Sequence, residues 1–345
     1  MSFECPVPIT STDRVLIGHG SGGKLTAELV ERMIVPAFTN PALDALDDQA
    51  ILEVGGGRLA FTTDSYVVSP IFFPGGDIGE LAVNGTINDL AVGGARPLAL
   101  SLAFILEEGM PLADLRRIVE SARRAADRAG VSIVTGDTKV VGRGSGDQVF
   151  INTSGIGIVP AGVTLGSAQV RAGDAILLSG PIGDHGVAIM AHRAGLDLGG
   201  DVASDTAPLH DLAAALLRAC PDIHAMRDPT RGGVAATLVE IATRRSLGIE
   251  VDEAQIPVRE VVRGACELLG LDPLLVANEG KLVAFVPEAS AERALEALRA
   301  HPLGRHAARI GFVTGEHPSV VELRTPVRGR RILDLPYAEP LPRIC

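Results

Sequence analysis

The chain ends in a cysteine, and Cys345 is its first candidate for chemistry. It closes the stretch Pro336-Tyr337-Ala338-Glu339-Pro340-Leu341-Pro342-Arg343-Ile344-Cys345, whose three prolines bar a helix or a central strand. Fully extended, such an arm reaches about 33 Å. A thiol at its tip can accept a group from another protein and return with it to a site on its own chain. A second candidate set is acidic: Asp47-Asp48 in LDDQA, Asp64 in FTTDSY, Asp89 in GTINDLAVGG, Asp137 in VTGDTKV and Asp228 in RDPTRGG. Each alone reads as a turn or cap residue. Gathered in one place they would repel one another unless a cation neutralised them. Mg²⁺ takes oxygen ligands and shares itself with substrate phosphates, so the set suggests a site for more than one Mg²⁺ and a triphosphate.

Two glycine-rich segments suit phosphate as well. Gly18-His19-Gly20-Ser21-Gly22-Gly23-Lys24-Leu25 comes close to a P-loop, but Leu25 stands where a hydroxyl should bind the metal. Its backbone N–H groups and Lys24 can still meet phosphates. Asp228-Pro229-Thr230-Arg231-Gly232-Gly233 leads into a helix, whose free N–H groups favour anions. Asn278-Glu279-Gly280-Lys281 sits at the mouth of a strand, where Glu279 is either a general base or a plain surface acid. His185 in SGPIGDHG is a further candidate.

These residues need elements to hold them. Alternating and buried-strand patterns predict strands over 51–54, 58–62, 98–105, 132–135 and 149–158 in the first half. Helices are predicted over 77–92 and 112–129. Turn residues cluster between 160 and 172 and mark a boundary. The second half predicts strands over 175–179, 281–286 and 308–313. Its helices are predicted over 208–219, capped by Asp205 or Thr206, and over 230–245, 258–269 and 290–300. The organisation expected is an extension over 1–13, an N-terminal ATP-binding and dimerisation domain over 14–165, a C-terminal α/β domain over 166–335, and a flexible tail over 336–345. The fold class is α/β (α+β), with no short-period repeat.

Composition narrows the partners. Hydrophobic residues make up 46% and charged residues 21%, as in a packed globular protein. Aromatics are 3% and Trp is absent, so Ala, Val, Leu and Ile must build the core. A net charge of −11 with no basic cluster argues against nucleic acid or an anionic membrane. No apolar run approaches the ~20 residues a span needs, and the N-terminus lacks the apolar stretch of a signal peptide. Cys5, Cys220, Cys266 and Cys345 are far apart without a CxxC, which fits neither a disulfide framework nor a zinc site. The expected compartment is the cytoplasm.

Taken together the motifs resemble the hydrogenase maturation factor HypE family, the carbamoyl dehydratases that make the cyanide ligands of [NiFe]-hydrogenases. The resemblance is carried by HGSGGK (19–24), FTTDSY (61–66), FFPGGDIGELAVNGTINDLAVGGA (72–95), FILEEGMP (104–111), VTGDTKVV (134–141), SGPIGDHG (179–186), RDPTRGGV (227–234), CELLGLDPLLVANEGKLV (266–283) and the terminal PRIC (342–345). PRIC is the specific signature. The acidic motifs also mark the wider superfamily of selenophosphate, aminoimidazole-ribotide and formylglycinamidine-ribotide synthetases and thiamine-phosphate kinase. The short extension Met1–Asp13 departs from the family pattern.

The resemblance implies a two-domain aminoimidazole-ribotide-synthetase-like (PurM) fold, with N-terminal strands forming a barrel across a homodimer and ATP in a cleft near the interface. By motif, Asp48, Asp64, Asp89, Asp137 and Asp228 match metal and phosphate acids. Asn88 matches the asparagine before an acid, Lys24 the glycine-loop lysine, and Cys345 the cysteine that accepts a carbamoyl group. The implied reaction dehydrates an S-carbamoyl group to a thiocyanate at the expense of ATP, with Glu279 and Lys139 as candidates for removing the amide protons. The implied partners are the carbamoyltransferase HypF as donor and a HypC–HypD scaffold complex as cyanide acceptor. A selenophosphate synthetase is the closest rival, but its glycine loop generally carries a cysteine or selenocysteine and this one has Ser21. A redox scaffold pairing through Cys345 would have no use for the acids.

Overall fold

The computed structural model describes residues 14–20, 22–196, 198, 202–335 and 343–345. The extension with Cys5, Ser21 of the glycine loop, and tail residues 336–342 lie outside them. After the glycine loop come α1 (Lys24–Leu29) and α2 (Val35–Phe38), joined by a wider helical turn over Val30–Ile34. Strands β1 (Ala50–Val54) and β2 (Gly57–Tyr66) then form a hairpin. Its two loop residues, Gly55 and Gly56, have φ of +58° and +81°, which gives the turn a twist matching that of the strands.

A short ribbon, β3 (Phe72–Phe73) and β4 (Gly76–Asp77), feeds α3 (Ile78–Val92). The Asp77 carboxylate caps α3 by accepting from Gly79 and Glu80 N–H groups. Thirteen of the fifteen α3 residues are buried, so this helix is an internal strut rather than a surface element. Its glycines permit close approach: a Cβ on Gly79 would lie 2.4 Å from Ile118 O, and one on Gly85 would lie 2.1 Å from Tyr66 Oη. β5 (Arg96–Glu107) and α4 (Leu112–Ala129) follow, then β6 (Ser132–Thr135), β7 (Thr138–Val141) and β8 (Val149–Val159). The sheet order is β1-β2-β8-β5-β6, with β7 also on β5. β6 and β7 run parallel to β5, and the other neighbours pair antiparallel. α3 and α4 cover its inner face. Its outer face exposes Phe61, Ile105, Val134, Ile156 and Ile158.

The second unit comprises β9 (Asp174–Leu178), α5 (Asp184–Arg193), α6 (His210–Ala219), β10 (Ala225–Arg227), α7 (Gly233–Arg245), β11 (Gly248–Asp252), α8 (Glu260–Leu269), β12 (Val283–Pro287), α9 (Ala291–Ala300), β13 (Ala308–Thr314), β14 (Val321–Arg324) and β15 (Arg330–Leu333). Its seven strands are ordered β10-β12-β9-β13-β11-β14-β15. Along β9, Ile176 and Leu178 join the core that includes α7, while Ala175 and Leu177 join the core with α6 and α9. That is the two-residue period of a strand buried on both faces. Ala91 and Val92 of α3 reach into the α6–α9 core and fasten the units together. Among the described residues, no helix is long and apolar enough to cross a membrane.

Two sequence expectations are corrected. α6 begins at His210 rather than Pro208, and neither Asp205 nor Thr206 caps it. The Leu209 N–H is taken instead by Asn88 Oδ1 at 2.8 Å, an acceptor from a distant helix. α7 starts at Gly233, after a turn over 230–232, rather than at Thr230. α5 was hidden by the glycines of SGPIGDHG. Gly186 lies inside this helix because a Cβ there would meet Val276 Cγ1 at 2.5 Å.

Candidate active site

The alternation of β2 lays out one wall of the site. Ala60, Thr62, Asp64 and Tyr66 share its inner face, beneath α3. Thr62 Oγ1 lies 2.6 Å from Asp89 Oδ2 on α3, and Tyr66 donates to Asp64 Oδ2 at 3.0 Å. Asp48 stands just before β1, and Asp228 follows β10 of the second unit. One carboxylate oxygen each from Asp48, Asp89 and Asp228 lie within 4.8 Å of one another. They floor a cleft of about 470 Å³, whose lining includes Gly22, Asp64, Thr230 and Arg231. The glycine loop closes on this cleft at Gly22, whose φ is +84° and whose Cβ position lies only 2.9 Å from Arg231 Cβ. Arg231 also donates to Gly20 O at 3.2 Å.

Crowded, buried acids hold protons tightly. Burial, opposed by Arg227 and aided by Asp47, raises the Asp48 carboxyl to about 6. Burial and then Asp48 raise Asp228 to about 8. Asp89 rises well above its ordinary value through burial and the charges of Asp64, Asp228 and Asp48. Arg227 is the internal counter-charge. Its Nε is 2.8 Å from Asp48 Oδ2, an ion pair in which the N–H does not point at the oxygen. Three carboxylates that cannot all ionise alone are a fitting donor set for a hard divalent cation.

The expected residues separate into groups. Asp48, Asp64, Asp89 and Asp228 meet in the cleft. Glu279 is 3% exposed beside them, and its Oε1 has no hydrogen-bond partner among the described residues. Burial, Asp228 and Asp205 raise its carboxyl well above the usual range, so it is a buried acid rather than a surface one. Asn88 is spent on the framework: its amide donates to Ala207 O and Glu279 O and accepts from Leu209 N–H. It thus fixes the backbone that carries Glu279. Lys24 lies at the glycine loop with Nζ 2.6 Å from Asp334 Oδ2. Asp137 and Lys139 lie away from the cleft, exposed at the open edge of the first sheet and paired at 2.7 Å. The chain alone does not bring them to the other acids.

Sequence reasoning passed over Thr62, Tyr66 and Arg227. Tyr66 follows Asp64 by two residues, the spacing that puts both on one strand face, and that signal was available in FTTDSY. Asp205 had been read as a helix cap. It instead accepts the Glu279 N–H at 3.0 Å and pairs with Lys281 Nζ at 2.8 Å. Burial opposes its charge, yet Lys281 and these hydrogen bonds hold its carboxyl below the ordinary value.

The end of the chain returns to this region. Ile344 bridges antiparallel to Val68, just beyond β2. Val67 N–H donates to Cys345 O at 3.3 Å and Ser69 N–H to Arg343 O at 3.1 Å. Ile344 is 1% exposed, in a cluster with Val68, Phe73 and Ile78, and Cys345 packs against the same cluster. His185 is fully buried, with Nε2 2.8 Å from Ile344 O.

Known proteins resemble this chain in sequence and fold. Two family profiles match: AIR synthase related protein, N-terminal domain, over residues 46–159, and its C-terminal domain over 171–324. The carbamoyl dehydratase HypE of Azotobacter vinelandii is 57% identical over 327 residues, covering 95% of this chain and 96% of its own. A solved HypE in complex with ATP is 49% identical, with a TM-score of 0.81 and coverage of 96% of this chain and 100% of its own. A HypE–HypF complex is 46% identical, with a TM-score of 0.84 and coverage of 89% and 99%. With a two-domain α/β fold, an acid-floored cleft and a full-length likeness of this order, the chain belongs to the AIR synthase-related family and, within it, to the carbamoyl dehydratases of [NiFe]-hydrogenase maturation, HypE.

Proposed function

We propose that Cys345 is the carbamoyl carrier, and that this chain uses ATP to dehydrate its S-carbamoyl group to a thiocyanate, the source of cyanide for the hydrogenase iron. The observation that carries this is the seated C-terminus. Residues 343–345 run antiparallel to 67–69, directly beyond the strand whose Asp64 lines the acid cleft. The HypE structure with bound ATP supports the nucleotide.

Oxide is too poor a leaving group to depart from an amide unaided. In the first step the carbamoyl oxygen attacks the γ-phosphorus of ATP, ADP leaves, and one N–H proton is released. In the second the remaining N–H proton is lost, the C–O bond breaks, phosphate departs and S–C≡N remains. The enzyme's work is to align oxygen with phosphorus and to stabilise the charge on the transferring group. Asp48, Asp64, Asp89 and Asp228 would hold Mg²⁺, which supplies charge neutralisation on the triphosphate. Lys24, held by Asp334 at the glycine loop, is the candidate cation for the phosphates. Glu279 is the candidate for the amide protons. Its raised proton affinity suits a group that must take and release a proton, and its Oε1 is free of internal partners.

Lys139 and Asp137 enter through a homodimer. The apolar outer face of the first sheet, with Phe61, Ile105, Val134, Ile156 and Ile158 exposed, suits coverage by a second copy in a shared barrel. The sheet edge bearing Asp137 and Lys139 would then serve the neighbouring cleft. The domains are proposed as 14–165 and 166–335. HypF is the proposed carbamoyl donor, supported by the HypE–HypF complex. A HypC–HypD complex is the proposed acceptor, on the family resemblance.

The test is the mass of the C-terminal peptide after loading by a carbamoyltransferase, with and without Mg-ATP. Gain of a carbamoyl group on Cys345, followed by loss of one water only with ATP, is expected. A carbamoyl group found on another cysteine would end the carrier assignment.

A further inference from the structure

Residues 343–345 are held by backbone hydrogen bonds together with the buried Ile344 side chain. Arg343 O accepts from Ser69 N–H and from the Arg193 guanidinium, which also donates to Ser69 O. Ile344 O accepts from His185 Nε2 at 2.8 Å, and Cys345 O from Val67 N–H at 3.3 Å. The side-chain ion pair of Arg343 with Asp147, at 2.8 Å, is partly exposed and adds little. His185 and Arg193 both belong to α5, a helix with no other part in the cleft chemistry.

His185 is prepared for this contact. Ser204 Oγ lies 2.7 Å from its Nδ1 and accepts the Thr206 N–H at 3.2 Å, while Ile344 O, which can only accept, lies 2.8 Å from Nε2. The ring proton therefore sits on Nε2, facing Ile344 O. Phe73 packs edge-on to the ring at 5.6 Å. Burial lowers the ring's proton affinity, which keeps it neutral near pH 7 and leaves the tautomer set by Ile344 O. When the tail leaves, the Nε2–H exchanges this acceptor for water, so the seated tail is favoured by the net worth of the hydrogen bond.

We propose that His185 and Arg193 form a latch on α5 that seats the tail, making them positioning residues for the dehydration step. The proposal rests on Cys345 being the carrier. Loading requires the tail out and dehydration requires it in, so a loosened latch shifts the two half-reactions in opposite directions. A general structural defect would slow both.

The experiment uses the full chain and three readouts. They are the rate of iodoacetamide modification at Cys345, the single-turnover loss of water from protein already carbamoylated, and ATP affinity. Arg193→Leu and His185→Leu should each speed alkylation about ten-fold and slow dehydration about ten-fold, with ATP affinity unchanged. A net ten-fold is what one lost buried hydrogen bond implies. His185→Gln, which keeps a donor, should recover part of both. Ile344→Ser leaves the carbonyl that His185 grips but removes the tail's buried apolar side chain, so it calibrates alkylation of an unseated tail, and Arg193→Leu carries the test where His185→Leu fails to fold. Unchanged alkylation in Arg193→Leu, where Ile344→Ser speeds it, would overturn the latch, as would a fall in ATP affinity that tracks the loss of dehydration. If the unaltered protein never loses water from the Cys345 peptide, the carrier reading fails instead, and the alkylation rates still report on the latch.

Discussion

Replacing Asp228 with Asn should stabilise the ligand-free protein while disabling its nucleotide site. The carboxyl is 8% exposed, and burial followed by the Asp48 charge moves it from 3.8 to about 8. Below pH 4 the folded and unfolded chains both keep this proton. As pH rises further, the unfolded chain releases it and the folded one does not. Stability then falls by about 1.4 kcal/mol per pH unit until the folded carboxyl ionises near pH 8. Acting alone over about four units, the group would cost about 5–6 kcal/mol at pH 8. Asp48 and Asp89 share the crowding, and a proton gained by one relieves the others, so a single substitution should recover about 1–3 kcal/mol. At about 2–4 °C per kcal/mol, that is a rise of several degrees in apparent Tm. The assay is thermal unfolding in EDTA without nucleotide, at fixed protein concentration, at pH 5 and pH 8. The gain should be small at pH 5 and full at pH 8. An unchanged or lower Tm at pH 8, or an equal gain at both, would refute the reading of these acids as mutually repelling.

Asp89→Asn should weaken Mg-ATP binding about ten-fold or more by calorimetry, since it removes the charge of one of three carboxylates whose oxygens gather within 4.8 Å. Gly85→Ala puts a Cβ 2.1 Å from Tyr66 Oη, so it should displace Tyr66 from Asp64 and cost about 1–3 kcal/mol in chemical denaturation. Ile156→Asp, on the open face of the first sheet, should convert the proposed dimer to monomer in sedimentation velocity; an unchanged species would remove that face from the interface. Lys139→Ala and Asp228→Asn, each inactive alone, should regain dehydratase activity when mixed and allowed to exchange subunits. One intact site per mixed dimer is expected, and no recovery would mean that Lys139 and Asp228 serve the same chain's site.

Much of the framework is legible because its periods are clean. The α4 pattern places Leu115, Ile118, Val119, Ala122, Ala126 and Ala129 on one face, and the observed helix has the predicted limits, Leu112–Ala129, although Val119 is exposed. Gly130 ends it in the left-handed conformation at φ +64°. The acids were legible as a set because each interrupts an apolar run at a strand end or turn. β15 was not legible, since three of its four residues are exposed. α5 was not either, because glycines that read as a turn are there for close packing. The cap of α6 defeated local reasoning for a related reason. Its acceptor, Asn88, is 121 residues earlier, and propensity has no view of partners so remote.

The same limit explains how VTGDTKV was read. Its Asp137 and Lys139 have the residue types of a phosphate site, and linear order grouped them with Asp48, Asp89 and Asp228. A motif records what a segment can do and not which copy of the chain it does it for. In the fold, β7 is an edge strand beside an apolar face, and its two charges neutralise each other at 2.7 Å. An exposed pair of this kind contributes little to stability, so the folding of one chain offers no strong reason for both residues to be there. A cleft in a second copy does, because Lys139 released from Asp137 would meet a carbamoyl group or a phosphate. Subunit mixing therefore decides more than oligomeric state: recovery of activity would identify each active site as the joint property of two chains.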